Sequence, residues 1–149
     1  MFSGKRLQMN PEFKECLREK KIITFPMGKR LINKELNSAQ EDLDDAQFGL
    51  THGKYKWSTI QGYYSMYHTA RALLFSREYR EKSHYCLYVA VKALFVEAGV
   101  FEIGYGEAFY HAMILRENAD YRSRFSKTGA KLVLKRAEEF LSKSREILK

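Results

Sequence analysis

The sequence has no apolar run near the roughly 18 residues that a membrane span needs, so no membrane partner is expected. Lys5 and Arg6 are not followed by an apolar stretch, so no signal peptide is read there and the expected location is the cytoplasm. Only two cysteines occur, Cys16 and Cys86, far apart and not in a CxxC pair. They fit a reducing interior better than a secreted scaffold. A chain of 149 residues can remove about 70% of its unfolded surface from water, so its core requires neither a disulfide nor a metal staple. P-loop, GxSxG, HExxH and GxGxxG signatures are all missing, which excludes the enzyme classes they mark. There is no internal repeat, no low-complexity segment and no alternating run that demands a strand.

What is present is aromatic and helical. Ten Tyr and ten Phe occur, and three of the tyrosines fall in the stretch 57–75, WSTIQGYYSMYHTARALLF. Trp57, Ile60, Tyr64, Tyr67, Arg71 and Leu74 recur at three-and-four spacing with Tyr63, Ala70 and Phe75 alongside, the pattern of one helix face. Met66 and Leu73 widen that face, which predicts a central helix buried on more than one side. Gly62 costs about 1 kcal/mol of helix propensity against Ala and so points to a packing reason. Around it, Asn10 and Pro11 open a short helix over 10–20. Ile32, Leu36, Ala39, Leu43, Ala46 and Leu50 make a packing seam over 29–50 that ends at Gly53. Ser83 caps a helix over 83–98 that ends at Gly99. A turn at Gly104-Tyr105-Gly106 precedes a helix over 107–118. Ala130, Val133, Leu134, Ala137, Phe140 and Leu141 stripe a last helix over 127–148. The segments 22–28 and 77–83 read as loops. The expected fold is all-α, an antiparallel up-and-down bundle of four to five main helices plus a short N-terminal helix, one domain over 1–149.

The net charge is +8, and the excess sits at the ends. Residues 1–30 carry eight Lys/Arg against three Glu, and residues 121–149 carry nine against three. Basic surfaces attract nucleic acid or acidic partners, although a solvated helical surface explains the same composition. Glu81 and His84 have Glu-x-x-His spacing, and Glu107 and His111 lie four apart. A carboxylate-bridged metal bundle needs a second Glu-x-x-His and two further Glu, so no metal or cofactor is expected. The acids Glu41, Asp42, Asp44 and Asp45 read as a solvated face, and His68 as a hydrogen-bonded core or interface histidine. Lys82-Ser83-His84 opens a helix, where free amides favour an anion. Leu115-Arg116-Glu117-Asn118-Ala119-Asp120-Tyr121-Arg122 places Arg116 and Asp120 four apart, able to pair on one helix face with the Tyr121 ring buried. It also offers Arg116 as a guanidinium fork matched to phosphate oxygens.

Taken in order, FKECLREKKI, AQEDLDDAQFGLTHGKYKWS, GYYSMYHTARALLF, EKSHYCLYVAV, LRENADYR and KRAEEFLSK resemble the HEPN (higher eukaryotes and prokaryotes nucleotide-binding) domain family over nearly the whole chain. The resemblance implies a helical bundle, a homodimer, and pairing with a small nucleotidyltransferase in toxin–antitoxin or defence loci. It also implies, for many members, a metal-independent ribonuclease in which an Arg steadies phosphate and a His four to six residues on acts as acid or base. This chain has no histidine in the window after Arg116. Three functions therefore stand open: a dimeric module binding nucleotide or RNA phosphate, or a nucleotidyltransferase partner, through Arg116, Arg122, Lys82 and His84; a ribonuclease using Arg116 with Tyr121, or Arg77 with His84; and a dimerising scaffold. Tyr121 makes a poor base at pH 7, because an unperturbed phenol has a pKa of about 10.

Overall fold

A helix hydrophobic nearly all round must be enclosed by other elements, and the tyrosine-rich stretch is. The computed structural model describes residues 10–149, leaving the Lys5–Arg6 reading outside the described residues. The chain runs through α1 (Pro11–Arg18), β1 (Ile22–Thr24), a 3-10 turn (Gly28–Leu31), α2 (Ile32–Thr51) and α3 (Tyr55–Ser76). It continues through β2 (Tyr79–Glu81), α4 (His84–Val91) with a π turn (Lys92–Val96), α5 (Ile103–Arg122) and α6 (Lys127–Ile147). The central helix α3 packs on α2 most extensively, then on α6, α5 and α4. Its Tyr63, Met66, Ala70, Leu73, Leu74 and Phe75 are fully buried, in a core shared with Phe13, Phe95, Phe109 and Phe140. The fold is an all-α bundle carrying one small ribbon.

Local chemistry sets the helix ends. The Asn10 side chain accepts from the Phe13 amide at 3.0 Å, Ser83 from Cys86 at 3.0 Å and Ser126 from Gly129 at 2.9 Å. Each occupies an amide that the first helical turn leaves unpaired. Gly53 (φ 73°) and Gly99 (φ 81°) take the left-handed conformation at the turns after α2 and the π turn. Gly62 has the packing reason its position implied. A Cβ there would stand 2.9 Å from Val133 Cγ1 and 3.1 Å from Leu134 Cδ1 of α6.

Several sequence expectations are corrected. The segments read as loops at 22–28 and 77–83 contain an antiparallel pair, with Ile22 opposite Glu81, Ile23 opposite Arg80 and Thr24 opposite Tyr79. Three-residue strands are too short to display alternation. The helix expected from Glu107 starts at Ile103 and runs past Asn118 to Arg122. Gly106 lies within it, and a Cβ there would meet Val96 at 3.2 Å; the glycine serves close approach rather than a turn. Trp57, assigned to the buried face, is 54% exposed. Asp42, assigned to the solvated acidic face, is half-buried. Cys16 and Cys86 are not separate thiols. They are joined in a disulfide with Cα atoms 5.9 Å apart, across a sequence separation of 70. Only the docking of α1 on α4 brings them together, and no spacing rule shows that.

Candidate phosphate-binding site

Helical spacing places Tyr63, Tyr64, Tyr67, His68 and Arg71 along one stripe of α3. Polar ends on a mostly apolar helix must find partners when they are buried, and each of these finds one on a different element. The Tyr64 hydroxyl accepts from Arg116 Nη2 of α5 at 2.8 Å. Tyr63 Oη lies 2.7 Å from His84 Nδ1 at the start of α4. The Tyr67 hydroxyl donates to Glu81 Oε2 of β2 at 2.6 Å. Arg71 reaches Glu81 Oε2 at 3.3 Å and Glu35 Oε1 of α2 at 3.2 Å. His68 Nδ1 lies 2.8 Å from Glu35 Oε1, and its Nε2 lies 3.6 Å from Asp42.

Arg116 is held from several sides. Its side chain is only 11% exposed and forms the expected pair with Asp120 at 3.2 Å. The guanidinium also stands 5.2 Å from the Tyr64 and Tyr121 ring centres and 5.8 Å from that of Tyr63, the geometry of cation–π attraction. Its Nε is buried without a hydrogen-bond partner among the described residues. Tyr121, expected to bury its ring, is 70% exposed, so one of the rings beside the guanidinium is solvated.

His84 stacks on Tyr67 with ring centres 4.6 Å apart and meets Tyr64 edge-on at 6.0 Å. Burial lowers its pKa and the positive charge of Arg116 lowers it further, against Glu81 and Glu117. The imidazole is therefore neutral at pH 7. Burial raises the Tyr63 phenol far above its usual range, so it stays protonated. The Tyr67 phenol is raised by burial and then by its bond to Glu81. His84 lines a cleft of about 390 Å³ together with Tyr67, Arg71, Arg80, Glu81, Lys82 and Ser83, a volume within the range of small-ligand sites. Three cations border this cleft beside the first turn of α4, a setting that favours an anion.

The structure thus brings Arg116, Tyr121, Asp120 and His84 to one surface, with Lys82 in the cleft beside His84. Arg122 does not join them. It is exposed, and its bond is to Asn118 Oδ1 at 3.3 Å. Arg77 does not pair with His84; its guanidinium lies 4.5 Å from the Phe95 ring centre. The Glu107–His111 spacing leads elsewhere too, since His111 Nδ1 lies 3.0 Å from Arg136 Nη1. No group of three His, Cys, Asp or Glu fit to hold a metal occurs among the described residues. Nor is any described helix long and apolar enough to cross a membrane. Sequence reasoning missed Tyr63, Tyr64, Tyr67 and Arg71 as polar partners by assigning them to the packing face of α3; Glu35 was not singled out, and Glu81 was weighed only as a metal ligand. The available signal was Arg71, a charge on an otherwise apolar stripe, which demands a counter-charge.

A family model of the HEPN domain matches residues 32–148. The chain belongs to the HEPN family. A Methanocaldococcus jannaschii protein named "Putative toxin MJ0605" is 27% identical over 130 residues, covering 81% of this HEPN chain and 97% of that protein. The crystal structure of TT1696 from Thermus thermophilus matches with a TM-score of 0.62 at 17% identity. That likeness spans 78% of this chain and 97% of that one, and shows the shared fold.

Proposed function

We propose that this HEPN chain is a toxin-like protein that binds the phosphate of RNA or of a nucleotide on the surface shared by Arg116, His84 and Lys82. In this reading it is one helical domain that works as a homodimer, with a small nucleotidyltransferase as its partner in a toxin–antitoxin-type pair. The observation that carries the reading is the convergence of Arg116 and His84, from α5 and α4, on the Tyr63–Tyr64 platform of α3. A guanidinium held by Tyr64 and Asp120 is pre-oriented, so little rotamer entropy is lost when it meets a phosphate. The basic chain ends supply long-range attraction. The toxin part of the reading rests on the name of the Methanocaldococcus jannaschii relative.

The test is the anisotropy of a labelled single-stranded RNA across a salt series. Each phosphate contact contributes a slope of about −0.7 in log K against log salt. Arg116→Ala is expected to weaken binding by about tenfold and to flatten the slope by roughly one such contact. R116A binding equal to wild type at every salt concentration defeats the site assignment. Light scattering of the purified protein tests the homodimer, and co-purification with a co-expressed nucleotidyltransferase tests the pair.

One observation favours a second reading, a metal-independent ribonuclease. The neutral His84 imidazole stands beside the Arg116 cation without being in the same local motif. RNA cleavage in EDTA that is abolished by both R116A and H84A supports the enzyme; no cleavage at any pH between 5 and 9 removes it.

A further inference from the structure

We infer that Tyr63 is a positioning residue that holds His84 as the Nε2–H tautomer, so that the histidine presents a hydrogen-bond donor, not a base, to the cleft. The inference rests on the phosphate-binding reading only for what the donor meets. The tautomer itself follows from hydrogen-bond accounting. Tyr63 is fully buried, and its hydroxyl has one partner among the described residues, His84 Nδ1 at 2.7 Å. A buried O–H must be given to an acceptor. If Nδ1 carried the proton, it would donate to the phenol oxygen and leave the phenol's own hydrogen with no acceptor. If Nδ1 is bare, the phenol donates to it and both groups are satisfied. The imidazole proton then sits on Nε2, which has no protein partner among the described residues, on a ring that borders the cleft.

The surroundings keep the ring neutral and fixed. Tyr67 stacks on one face at 4.6 Å and Tyr64 meets it edge-on. The charged groups that act on it are Arg116 and Glu117 of α5 and Glu81 of β2, with Lys82 close by in the chain. A neutral imidazole whose bare nitrogen is occupied by a phenol has no lone pair free to take a proton from a 2′-hydroxyl. It can donate to a phosphate oxygen, in the same direction as Arg80 and Lys82 would attract one. Tyr63 thereby tilts the site toward holding phosphate and away from general-base cleavage.

The experiment is long-range ¹H–¹⁵N correlation of the histidine rings in the full chain at pH 7, for wild type and Tyr63→Phe. Wild type is expected to show His84 with a bare Nδ1 and a protonated Nε2. Y63F should release Nδ1, mix the two tautomers, raise the pH at which the ring titrates, and weaken RNA binding about fivefold, the equivalent of one ordinary hydrogen bond. A wild-type ring protonated on Nδ1 overturns the inference, as does an unchanged tautomer in Y63F; the first measurement stands even if the variant folds poorly. Inorganic phosphate separates the two proposals. With the expected tautomer, a shift of the Nε2–H resonance on adding phosphate supports both. The expected tautomer with no shift at any phosphate concentration upholds the role of Tyr63 and defeats phosphate binding.

Discussion

Glu35 is a carboxylate at 4% exposure with His68 and Arg71 both turned onto one of its oxygens. Burial alone would raise its pKa. The His68 hydrogen bond and the Arg71 charge override burial and hold it below the ordinary 4.5. Because the folded carboxyl releases its proton more readily, the unfolded chain binds more protons once pH falls below about 4.5, and the stability this group supplies at neutral pH is lost through that window. Urea midpoints measured from pH 7 down to pH 3 should fall in acid. Glu35→Gln should flatten that fall and cost about 2 kcal/mol at pH 7, because Arg71 loses one of its two carboxylates and His68 loses the charged oxygen its Nδ1 faces. His84 works in the same direction: its lowered pKa means that the unfolded chain takes up a proton first as pH drops through about 6.5. At this scale the sequence identified Arg116 and its Asp120 partner, because four-residue helical spacing is a local rule. It could not identify Glu35 or Tyr63, whose partners lie on other helices.

At the scale of elements, α3 and α6 meet at Gly62. Gly62→Ala gains about 1 kcal/mol of helix propensity, yet the new methyl would overlap Val133 Cγ1 at 2.9 Å. Overpacking of this kind costs about 1–3 kcal/mol, so a net loss of about 1 kcal/mol is expected in denaturant unfolding; a stabilised G62A would mean that α6 yields freely. Ser83→Ala should cost about 1 kcal/mol by uncapping α4. Far-ultraviolet circular dichroism with a melting curve reads that change. The Asn10 and Ser83 caps and the Gly62 contact were legible from the residues because each acts within a few positions or through a conspicuous lack of side chain. The early start of α5 was not: Gly104 and Gly106 carry turn chemistry, and the approach of Val96 that calls for a glycine at 106 is a tertiary contact.

The whole molecule is tied at one more place. The Cys16–Cys86 disulfide fastens α1 to the helix that begins with His84. Closing a loop of this length limits the unfolded chain and is worth about 2–4 kcal/mol. Dithiothreitol, or Cys16→Ser, should therefore lower the melting temperature. Because Cys86 follows His84 closely in the first turn of α4, beside the cleft, the same treatment should also weaken RNA binding. A melting temperature that ignores reductant would show that the thiols are not joined in solution.

The residues by themselves determined the helical class, the central place of the tyrosine-rich helix, the caps and stops, and the family likeness. All of these are carried by periodicity and by side chains acting on neighbours a turn away. Tertiary structure alone decided the two-stranded ribbon, the disulfide, the exposure of Trp57 and the meeting of Arg116 with His84 across Tyr63 and Tyr64. Each of these depends on which helices pack together and in what rotation. That choice is fixed by burial of the whole core, and no local pattern in the chain records it.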